Sequence, residues 1–540
     1  IAHYENGDEG YIETDWFDVV MRDYSFNMTH NLSVRGGNQQ TQYYLSGNYS
    51  EDNSILTMDN MNNDRLSFTG NVTSKITNEL TVSFQSALSY SKIEGMPGVT
   101  NQNIWYYTSN ADRTITPTVI GNPDHYSALP DSENRNPLAI TDRDAVGYQD
   151  NKNLTFRNNI DVKYEPKWLK GLAISATGAY DFSNYRQDDL TKLLYLYDYQ
   201  TDVQAGANAE ANTYSEQWNT RQTFYGRIQA NYNRRFGDHN VGATLAGEVT
   251  KNMSNSLNGS RKYGDFFTHN VLDQADASTA TNGGNRSDNA KAGYVFRASY
   301  DYKGKYLLEL SGRYDGSSRF PQNSRWGFFP SASAAWTISE EEFFQPARNV
   351  VDNMKLRFSA GSLGNQQVSN YAWIETITGN KTNGYTFDYV EEGKYSSISA
   401  PISDGLTWET VTTYDLGLDL SFFDTRLNFT VDGYIRDTKN MLTTSLTLPD
   451  VFGASTPKAN CADLRTKGWE LTVSWKDSFS LLGKPFNYNV GATVGDYVTH
   501  ITKYHNPDGL ISEHYVGKKL GDIWGYHVEG LFKTDREAAE

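Results

Sequence analysis

Residues 315–336, DGSSRFPQNSRWGFFPSASAAW, decide the fold class of this chain. The first part, residues 315–324, opens with the turn signal Asp315-Gly316 and is predicted to be a tight hairpin. From residue 325 to residue 339 apolar residues recur at every second position, which predicts a strand. One face of this strand is apolar throughout and holds Trp326, Phe328, Pro330, Ala332, Ala334, Trp336 and Ile338. The opposite face is mostly small or hydroxylated and holds Arg325, Gly327, Phe329, Ser331, Ser333, Ala335, Thr337 and Ser339.

Trp326 and Trp336 stand at the two ends of the apolar face, ten residues apart. That separation is about 33 Å at about 3.3 Å per residue. A strand tilted by about 35–45° would then cover roughly 23–27 Å of depth, close to the apolar band of an outer-membrane barrel. Because Trp favours the membrane–water interface, we predict that Trp326, Phe328 and Trp336 belong to an aromatic girdle that faces lipid. A soluble core strand that carries two tryptophans by chance is the alternative.

The composition fits a membrane barrel better than a soluble domain or a helical membrane protein. The chain has 540 residues, of which 38% are hydrophobic, 14% aromatic and 21% charged. No run of about 18 apolar residues occurs, so the sequence predicts no transmembrane helix. A transmembrane strand is apolar only at alternate positions, so the mean hydropathy of −0.65 is compatible with a barrel. The net charge of −17 argues against a nucleic-acid partner.

The alternation recurs along the whole chain, for example in residues 154–164, 427–436 and 469–476. We count roughly sixteen such segments, most of them about 10–15 residues long, which is longer than usual globular strands. Tight connections are predicted at 36–38, 75–78, 166–171, 236–240, 302–305 and 422–425. Between them come long connections at 51–62, 92–151, 185–216, 253–290, 316–324, 364–406, 440–465 and from 499 onward. Short turns on one side and long loops on the other are typical of an outer-membrane barrel.

One connection on the short-turn side, residues 339–353, is longer than the others. Its residues Glu340-Glu341-Glu342-Phe343-Phe344 are predicted to begin a short helix.

Several motifs carry a family resemblance. The strongest are residues 313–336 with Ile338-Ser339-Glu340, residues 355–366 (KLRFSAGSLGNQ), Trp408-Glu409 leading to residues 416–419, residues 466–471 (TKGWEL) and residues 521–526 (GDIWGY). Near the start, residues 14–16, residues 30–37 and Tyr43-Tyr44 look like the entry to a barrel. With these motifs the chain resembles the SusC-like TonB-dependent transporters of Bacteroidetes outer membranes, the SusC/RagA family. The resemblance spans nearly the whole chain.

The resemblance implies an all-β fold, a 22-stranded transmembrane antiparallel β-barrel, of which roughly 16 strands are covered here. Residues 1–540 are expected to be part of the barrel domain with long extracellular loops. The family's N-terminal plug domain and the last barrel strands are expected to lie outside this chain. The implied partners are a SusD-like surface lipoprotein that acts as a lid, the TonB complex and membrane lipid.

The function implied by the resemblance is TonB-dependent import of a bulky nutrient across the outer membrane, with glycan as the first substrate class and oligopeptide as the second. Two other classes stay open: a passive porin or surface adhesin built on a barrel, and a soluble β-rich binding protein. The alternating faces themselves suggest a polar lumen.

Two long loops are rich in aromatic residues. The candidates are Trp105, Tyr106, Tyr107 and Tyr126 in loop 92–151, and Tyr195, Tyr197 and Tyr199 in loop 185–216. Aromatic faces stack on sugar rings, and Tyr hydroxyls add hydrogen bonds. Contact with substrate, contact with the lid, and packing within the loops are the three alternatives.

Arg319 and Arg325 lie close to Asp315 in the sequence. A clamp for a substrate carboxylate or phosphate is one hypothesis. We favour the other, an internal network in which Asp315, Arg319 and Arg325 order the extracellular hairpin, because an acid is already present to pair with the arginines.

The sequence predicts no metal, no cofactor and no catalysis. The histidines show no H-E-x-x-H spacing, and residues 59–64 (DNMNND) read as a turn rather than a calcium loop because a terminal Glu is missing. No G-x-S-x-G nucleophile elbow occurs. Cys461 is the single cysteine, so no disulfide forms within the chain.

Overall fold

The computed structural model describes residues 13–58, 61–98, 100–129, 135–264, 270–381, 395–398, 402, 405–444, 458–511, 513–528, 530, 533–534 and 536–537. Sixteen of its strands form one sheet in which every strand pairs with its neighbours in sequence. In chain order these strands are β1 (Met28–Gly37), β2 (Thr41–Asn53), β3 (Asn62–Lys75), β4 (Leu80–Gly95), β5 (Gly147–Tyr164), β6 (Leu172–Thr191), β7 (Asn212–Phe236), β8 (His239–Tyr263), β9 (Thr281–Tyr302), β10 (Tyr306–Ser317), β11 (Trp326–Thr337), β12 (Val351–Asn365), β13 (Glu409–Phe422), β14 (Leu427–Thr444), β15 (Lys458–Leu481) and β16 (Lys484–Lys503). The predicted count of strands is confirmed.

The described loops add a few short elements. Three are α-helices: α1 (Trp16–Val20), α2 (Asn101–Asn110) and α3 (Arg143–Val146). Three two-stranded ribbons pair Thr118–Val119 with Asn122–Tyr126, Tyr195–Tyr197 with Gln204–Ala207, and Ile377–Lys381 with Tyr395–Ile398. Within the described part of the chain, none of the helices has both the length and the apolar character needed to cross a membrane.

The chain divides into two compact units. Unit 1 comprises residues 1–230 and 248–290, and unit 2 comprises residues 231–247 and 291–540. Each unit has its own polar and apolar sheet face and its own packed loops, which are described separately below.

Strand β10 in unit 2 shows the character of the two faces. Tyr306, Leu308 and Tyr314 on one face are exposed, whereas Glu309 and Ser311 on the other are partly covered. In a soluble protein the apolar residues would be the covered ones. The sheet therefore turns its apolar side outward, as expected for a sheet whose outer surroundings are lipid.

Strand β11 carries the girdle residues where the sequence predicted them. Its bounds, Trp326–Thr337, lie within the predicted range, and Trp326, Phe328 and Trp336 are all on the exposed face. The Trp326 ring stacks on Tyr314 with centroids 5.0 Å apart, and the Phe328 ring stacks on Phe296 at 6.2 Å. Their role as a lipid-facing girdle stays a prediction.

The predicted length of about 10–15 residues holds for seven of the sixteen strands of this sheet and is too short for the other nine. Strands β7 and β8 each have 25 residues, so the predicted loops 185–216 and 253–290 shrink to residues 192–211 and 264–280. Polar contacts join the extensions of β8 and β9: the Ser254 hydroxyl donates to the Ser287 carbonyl at 3.4 Å, and Asn252, directly before the extension of β8, donates to Asn289 at 3.1 Å. The apolar alternation marks only the part of a strand that meets an apolar environment, and the pairing continues beyond it.

The alternation of short and long connections is as predicted. The short turns are residues 38–40, 76–79, 165–171, 237–238, 303–305, 423–426 and 482–483. The exception, residues 338–350, forms two short 3₁₀ helices, Ile338–Glu340 and Glu342–Ala347, where a short helix was predicted. Its Glu341 accepts hydrogen bonds from the Tyr306 hydroxyl and the Trp336 indole, which fixes this connection to the end of β11.

Candidate functional site

The long loops of unit 1 pack into a folded layer at the loop end of the strands. Trp16 of α1 is buried against Ala111, Ile115 and Leu129, and its indole N–H donates to the carbonyl of Asp112 at 2.9 Å. Helix α1 begins here because the Asp15 carboxylate accepts from the first backbone N–H groups of the helix.

A second apolar cluster joins α1, α2 and the strand ends. It consists of Val20, Leu56, Met96, Ile104 and Val146, all buried. These two clusters hold the aromatic loop residues in fixed positions.

Three of the seven candidate aromatics are exposed on this layer: Trp105 at 51%, Tyr106 at 54% and Tyr195 at 44%. Helix α2 buries Ile104 and therefore presents the next two residues to the outside. Trp105 contacts the ring of Phe17 at 5.5 Å between centroids, and Tyr106 meets Tyr107 edge to face at 5.4 Å. The group offers an aromatic surface to a partner or a ligand.

The other candidates pack within the loops. The Tyr126 hydroxyl donates to the Asp142 carboxylate at 2.6 Å. Burial and this carboxylate raise the pKa of Tyr126 well above its usual value, so the hydroxyl remains a donor. Tyr199 packs against the cluster around Trp16. Tyr126 and Tyr199 thus have their contacts within the loops.

The two aromatic loops are joined by a contact that was not predicted from the sequence. It consists of His125, Tyr197, Asn122 and Asp202, and we call it the latch. The His125 ring stacks flat on Tyr197, with centroids 3.8 Å apart and an interplanar angle of 6°. His125 Nδ1 lies 2.6 Å from Asp202 Oδ1, and Asn122 donates to Asp202 Oδ2 at 2.8 Å. These donors lower the pKa of the Asp202 carboxyl, with the Asn122 hydrogen bond as the largest cause.

The predicted network of Asp315, Arg319 and Arg325 is wrong in its pairing. Asp315 binds Arg313 of the same strand face through two hydrogen bonds of 2.9 Å. Arg319 donates instead to the Asn370 side chain at 2.9 Å and to the Gln366 carbonyl at 3.3 Å. Arg313 and Asp315 are two positions apart on a strand, so their side chains project to the same side. Arg313 is therefore the cation that pairs with Asp315.

The hairpin between β10 and β11 is ordered mainly by an apolar cluster. Phe320, Phe329, Leu406 and Trp408 are buried together, and the Trp408 indole donates to the carbonyl of Arg325 at 3.0 Å. Among the described atoms, Arg325 Nε is buried without a hydrogen-bond partner. This cluster is not apparent from the sequence, because Trp408 comes from a distant loop.

The polar face of unit 1 carries a cavity of about 680 Å³ between strands β5 to β9. Its lining is rich in amides and hydroxyls, with Arg157, Asp181 and Arg221 as the charged members. A cavity of about 690 Å³ in unit 2 is lined by more charges, including Arg297 and Glu309, which pair at 2.5 Å. In each unit the polar face of the sheet thus presents hydrogen-bonding and charged side chains around a cavity.

No group of three or more His, Cys, Asp or Glu residues in the described ranges is arranged to hold a metal ion. The sequence 59–64 starts with two residues that lie outside the described residues.

The sequence model of the family described as TonB dependent receptor-like, beta-barrel, matches residues 99–526. The chain belongs to this family. Among curated relatives, TonB-dependent receptor P26 of Formosa agariphila is 28% identical over 490 residues, which cover 87% of this chain and 45% of the relative. TonB-dependent receptor SusC of Bacteroides thetaiotaomicron is 26% identical over 538 residues, which cover 94% of this chain and 50% of the relative. The chain thus spans about half the length of the curated relatives that it matches.

Solved structures agree on the fold. The structure described as the RagAB peptide transporter superposes with a TM-score of 0.75 at 20% identity, over 91% of this chain and 53% of the other. The ferripyoverdine receptor of the outer membrane of Pseudomonas aeruginosa gives a TM-score of 0.52 at 12% identity, over 92% of this chain and 55% of the other.

For this TonB-dependent receptor barrel, the comparisons confirm three predictions. The fold is that of a transmembrane β-barrel family, the location is the outer membrane, and the SusC-like resemblance holds. The family consists of transporters and not of enzymes. The roles of the aromatic loop residues, the girdle and the loop charges are not tested by these comparisons and stay predictions.

Proposed function

We propose that the protein imports a bulky nutrient across the outer membrane with energy supplied through the TonB system. One observation carries this proposal: the sheet of a TonB-dependent receptor barrel turns an apolar face outward and keeps a polar face opposite to it. A barrel with a polar inner face and an apolar outer face lets a water-soluble cargo cross the lipid bilayer.

The cargo that we favour is a glycan, with an oligopeptide as the second class. The wall of unit 1 is dominated by amide and hydroxyl groups, which match the hydroxyl groups of sugars. The RagAB structure is described as a peptide transporter, and its similarity at 20% identity concerns the fold alone. Peptide cargo is therefore the competing outcome of the test.

We propose that the exposed aromatic surface of Trp105, Tyr106 and Tyr195 is covered in the working protein by a SusD-like lipoprotein lid. Aromatic residues are enriched at protein interfaces because they bury large areas with little loss of side-chain freedom. The packed layer beneath them holds these rings rigidly, which favours docking of a partner over loose capture of a ligand.

The test is uptake by cells that carry or lack the full-length protein. Labelled oligosaccharides and labelled peptides are supplied at low concentration, with and without a protonophore that collapses the inner-membrane gradient. Accumulation of oligosaccharide that needs both the protein and the gradient is expected. Uptake that is unaffected by the protonophore would indicate a passive porin, and surface attachment without uptake would indicate an adhesin.

A further inference from the structure

A row of basic side chains crosses three adjacent strands of unit 1. Lys92 of β4 lies opposite Lys152 of β5 in the strand register, and Lys152 lies opposite Arg186 of β6. Opposite positions on neighbouring strands place the Cβ atoms about 5 Å apart, so like charges there repel each other. We call these three residues the cation row. Negative groups close to the cation row lower this repulsion.

The cation row lies on the apolar side of the sheet. Side chains at alternate positions of a strand share a face, so Lys92 lies on the same face as Leu88 and Tyr90. By the same rule Lys152 lies on the face of Phe156. Leu88, Tyr90 and Phe156 are all exposed. This face is opposite to the polar face that carries the cavities, and it is the one that we expect lipid to cover.

The cation row begins where the apolar part of this face ends. From Leu154 to Tyr164 the face of β5 is apolar except at Asn158. This part of the strand is about 33 Å long, which gives roughly 23–27 Å of depth at a tilt of about 35–45°. Lys152, the next residue of the face beyond Leu154, therefore lies at the level of the lipid headgroups. Because β5 follows the long connection 96–146, these headgroups belong to the outer leaflet.

Acidic residues hold the cation row from the side of the long loops. Glu94, Asp150 and Asp188 lie two positions beyond the cation row on the same strands. The ion pairs of this network are Lys92 with Glu94, Lys152 with Asp188 at 3.1 Å, Arg186 with Asp188 at 2.8 Å, Arg186 with Glu216 at 3.8 Å, and Arg143 with Asp150 at 2.9 Å.

In the pairs that involve the cation row, the cation is always the more exposed partner. The accessible fraction is 34%, 35% and 36% for the side chains of Lys92, Lys152 and Arg186. It is only 26% for Glu94, 9% for Asp188 and 23% for Glu216. The network thus presents its positive groups more than its negative groups on the side that faces the membrane.

An aromatic ring marks the membrane interface beside the cation row. The guanidinium carbon of Arg186 lies 4.9 Å from the centroid of the Trp218 ring of β7, and Trp218 is exposed. Tryptophan is enriched at membrane–water interfaces. Arg186 and Lys152 each donate one hydrogen bond to the Asp188 carboxylate. Because a guanidinium carries five N–H donors and an ammonium three, both cations can also donate to an anion outside the protein.

We propose that the cation row binds the phosphate group of a lipid in the outer leaflet. The phosphate oxygens accept charge-assisted hydrogen bonds from Lys92, Lys152 and Arg186. The acyl chains of the same lipid lie along the apolar face, against Leu88 and Phe156. The proposal goes beyond the transport function, because it concerns the lipid that surrounds the barrel and holds for any cargo.

The experiment uses the full-length protein, purified in detergent and freed of bound lipid. Native mass spectrometry measures its affinity for two probes, phosphorylated lipid A and the same lipid A after removal of its phosphate. We expect the wild type to bind the phosphorylated form at least tenfold more tightly, as for charge-assisted hydrogen bonds. In the double variant Lys92→Gln with Lys152→Gln this preference should fall below about threefold. Arg186 still pairs with Asp188 in that variant, which should therefore keep the heat-dependent gel mobility of a folded barrel.

Two controls separate the charge of the cation row from other effects. Lys92→Arg with Lys152→Arg keeps both charges and should keep the preference for the phosphorylated lipid. Lys303→Gln with Asp238→Asn removes an ion pair of 3.2 Å at short turns on the other side of the membrane, and it should behave like the wild type.

Three outcomes would overturn the proposal. The first is equal affinity of the wild type for the two lipids, which needs no variant to be observed. The second is an undiminished preference in the double glutamine variant, or an equal loss in either control. The third is displacement of the phosphorylated lipid by inorganic phosphate at the same concentration, which would indicate a site for a soluble anion instead of a lipid.

Discussion

Arg357 of β12 lies over Gly417 of β13, its direct partner in the register. A Cβ atom on Gly417 would meet the Asp432 carboxylate first, and it would also come within 2.6 Å of Nη2 and 2.7 Å of Cζ of the guanidinium. In this position Arg357 donates to Asp419 at 2.8 and 3.1 Å and to Asp432 of β14 at 2.9 Å. The missing side chain at position 417 thus creates the space for a cation that links three strands of unit 2.

Gly417→Ala should therefore destabilise the barrel. The added methyl group displaces the guanidinium from one or both carboxylates, and overpacking of this kind costs about 1–3 kcal/mol. The measurement is the temperature at which the full-length protein loses the gel mobility of the folded form. Gly433→Ala is the control, because nothing lies within 4 Å of a Cβ atom at that glycine; equal midpoints for the two variants would contradict the argument.

The order of the strands could be predicted because its signals are local. The two-residue period and the turn residues lie within a few positions of each other, as in residues 326–337 of β11. The lengths of β7 and β8 could not be predicted in this way. Beyond the apolar band these strands are mostly polar, and contacts such as that of Ser254 with Ser287 join residues 33 positions apart.

The contacts of the candidate site were less predictable for the same physical reason. The sequence located the aromatic loops and the arginines of the hairpin, but it did not show which residues they meet. Arg319 bonds to Asn370, 51 positions away, and His125 lies beside Asp202, 77 positions away. The large Phe329 side chain on a strand face of small residues was the one sign in the sequence that another large residue packs there. The structure shows that this residue is Trp408.

Trp408→Ala should loosen the hairpin between β10 and β11. The change leaves a cavity beside Phe320 and Phe329 and removes the hydrogen bond to the Arg325 carbonyl. Burial of a side chain of this size is worth about 3–5 kcal/mol in a core. Trypsin should then cleave after Arg319 and Arg325 at least tenfold faster in the full-length protein. Phe328→Ala, on the exposed face of the same strand, should leave the cleavage rate unchanged.

The latch formed by His125 and Asp202 should open in acid. The folded pKa of the Asp202 carboxyl is lowered, first by the Asn122 hydrogen bond and then by His125. A lowered folded pKa means that the stabilising contribution is present above the ordinary Asp value of about 3.9 and is lost as the pH falls through the folded pKa. Hydrogen exchange of the amides in residues 195–207, corrected for intrinsic rates, should therefore accelerate below about pH 4.

Asp202→Asn supplies the control for this pH dependence. Its amides in residues 195–207 should exchange faster than those of the wild type at neutral pH, without the acid-dependent step. A step of the same size in the variant would assign the acid response to other groups.

Trp105→Ser combined with Tyr106→Ser should weaken the association with the lid while leaving the barrel folded. Both rings are about half exposed, so their removal opens no cavity in the two apolar clusters below. We expect at least tenfold less lid to co-purify with the full-length protein. Trp168→Ser, an exposed tryptophan in a short turn at the other end of the strands, is the matched control. Normal lid recovery together with weaker cargo binding would assign the aromatic surface to the substrate instead.

Leu310 of β10 and Gln322 of the hairpin that follows are both exposed on the isolated chain, yet they should behave differently in the membrane. Leu310 lies between Tyr306 and Tyr314 on the apolar face, where lipid should cover it.

The test introduces Leu310→Cys or Gln322→Cys into the full-length protein after Cys461→Ser removes the native thiol of this region. In intact outer membranes a water-soluble maleimide should label the hairpin position within minutes and the strand position at least tenfold more slowly. The two rates should become equal after denaturation in detergent. Equal rates in the intact membrane would show that this face of the sheet meets water, and the girdle assignment of Trp326, Phe328 and Trp336 would then be wrong.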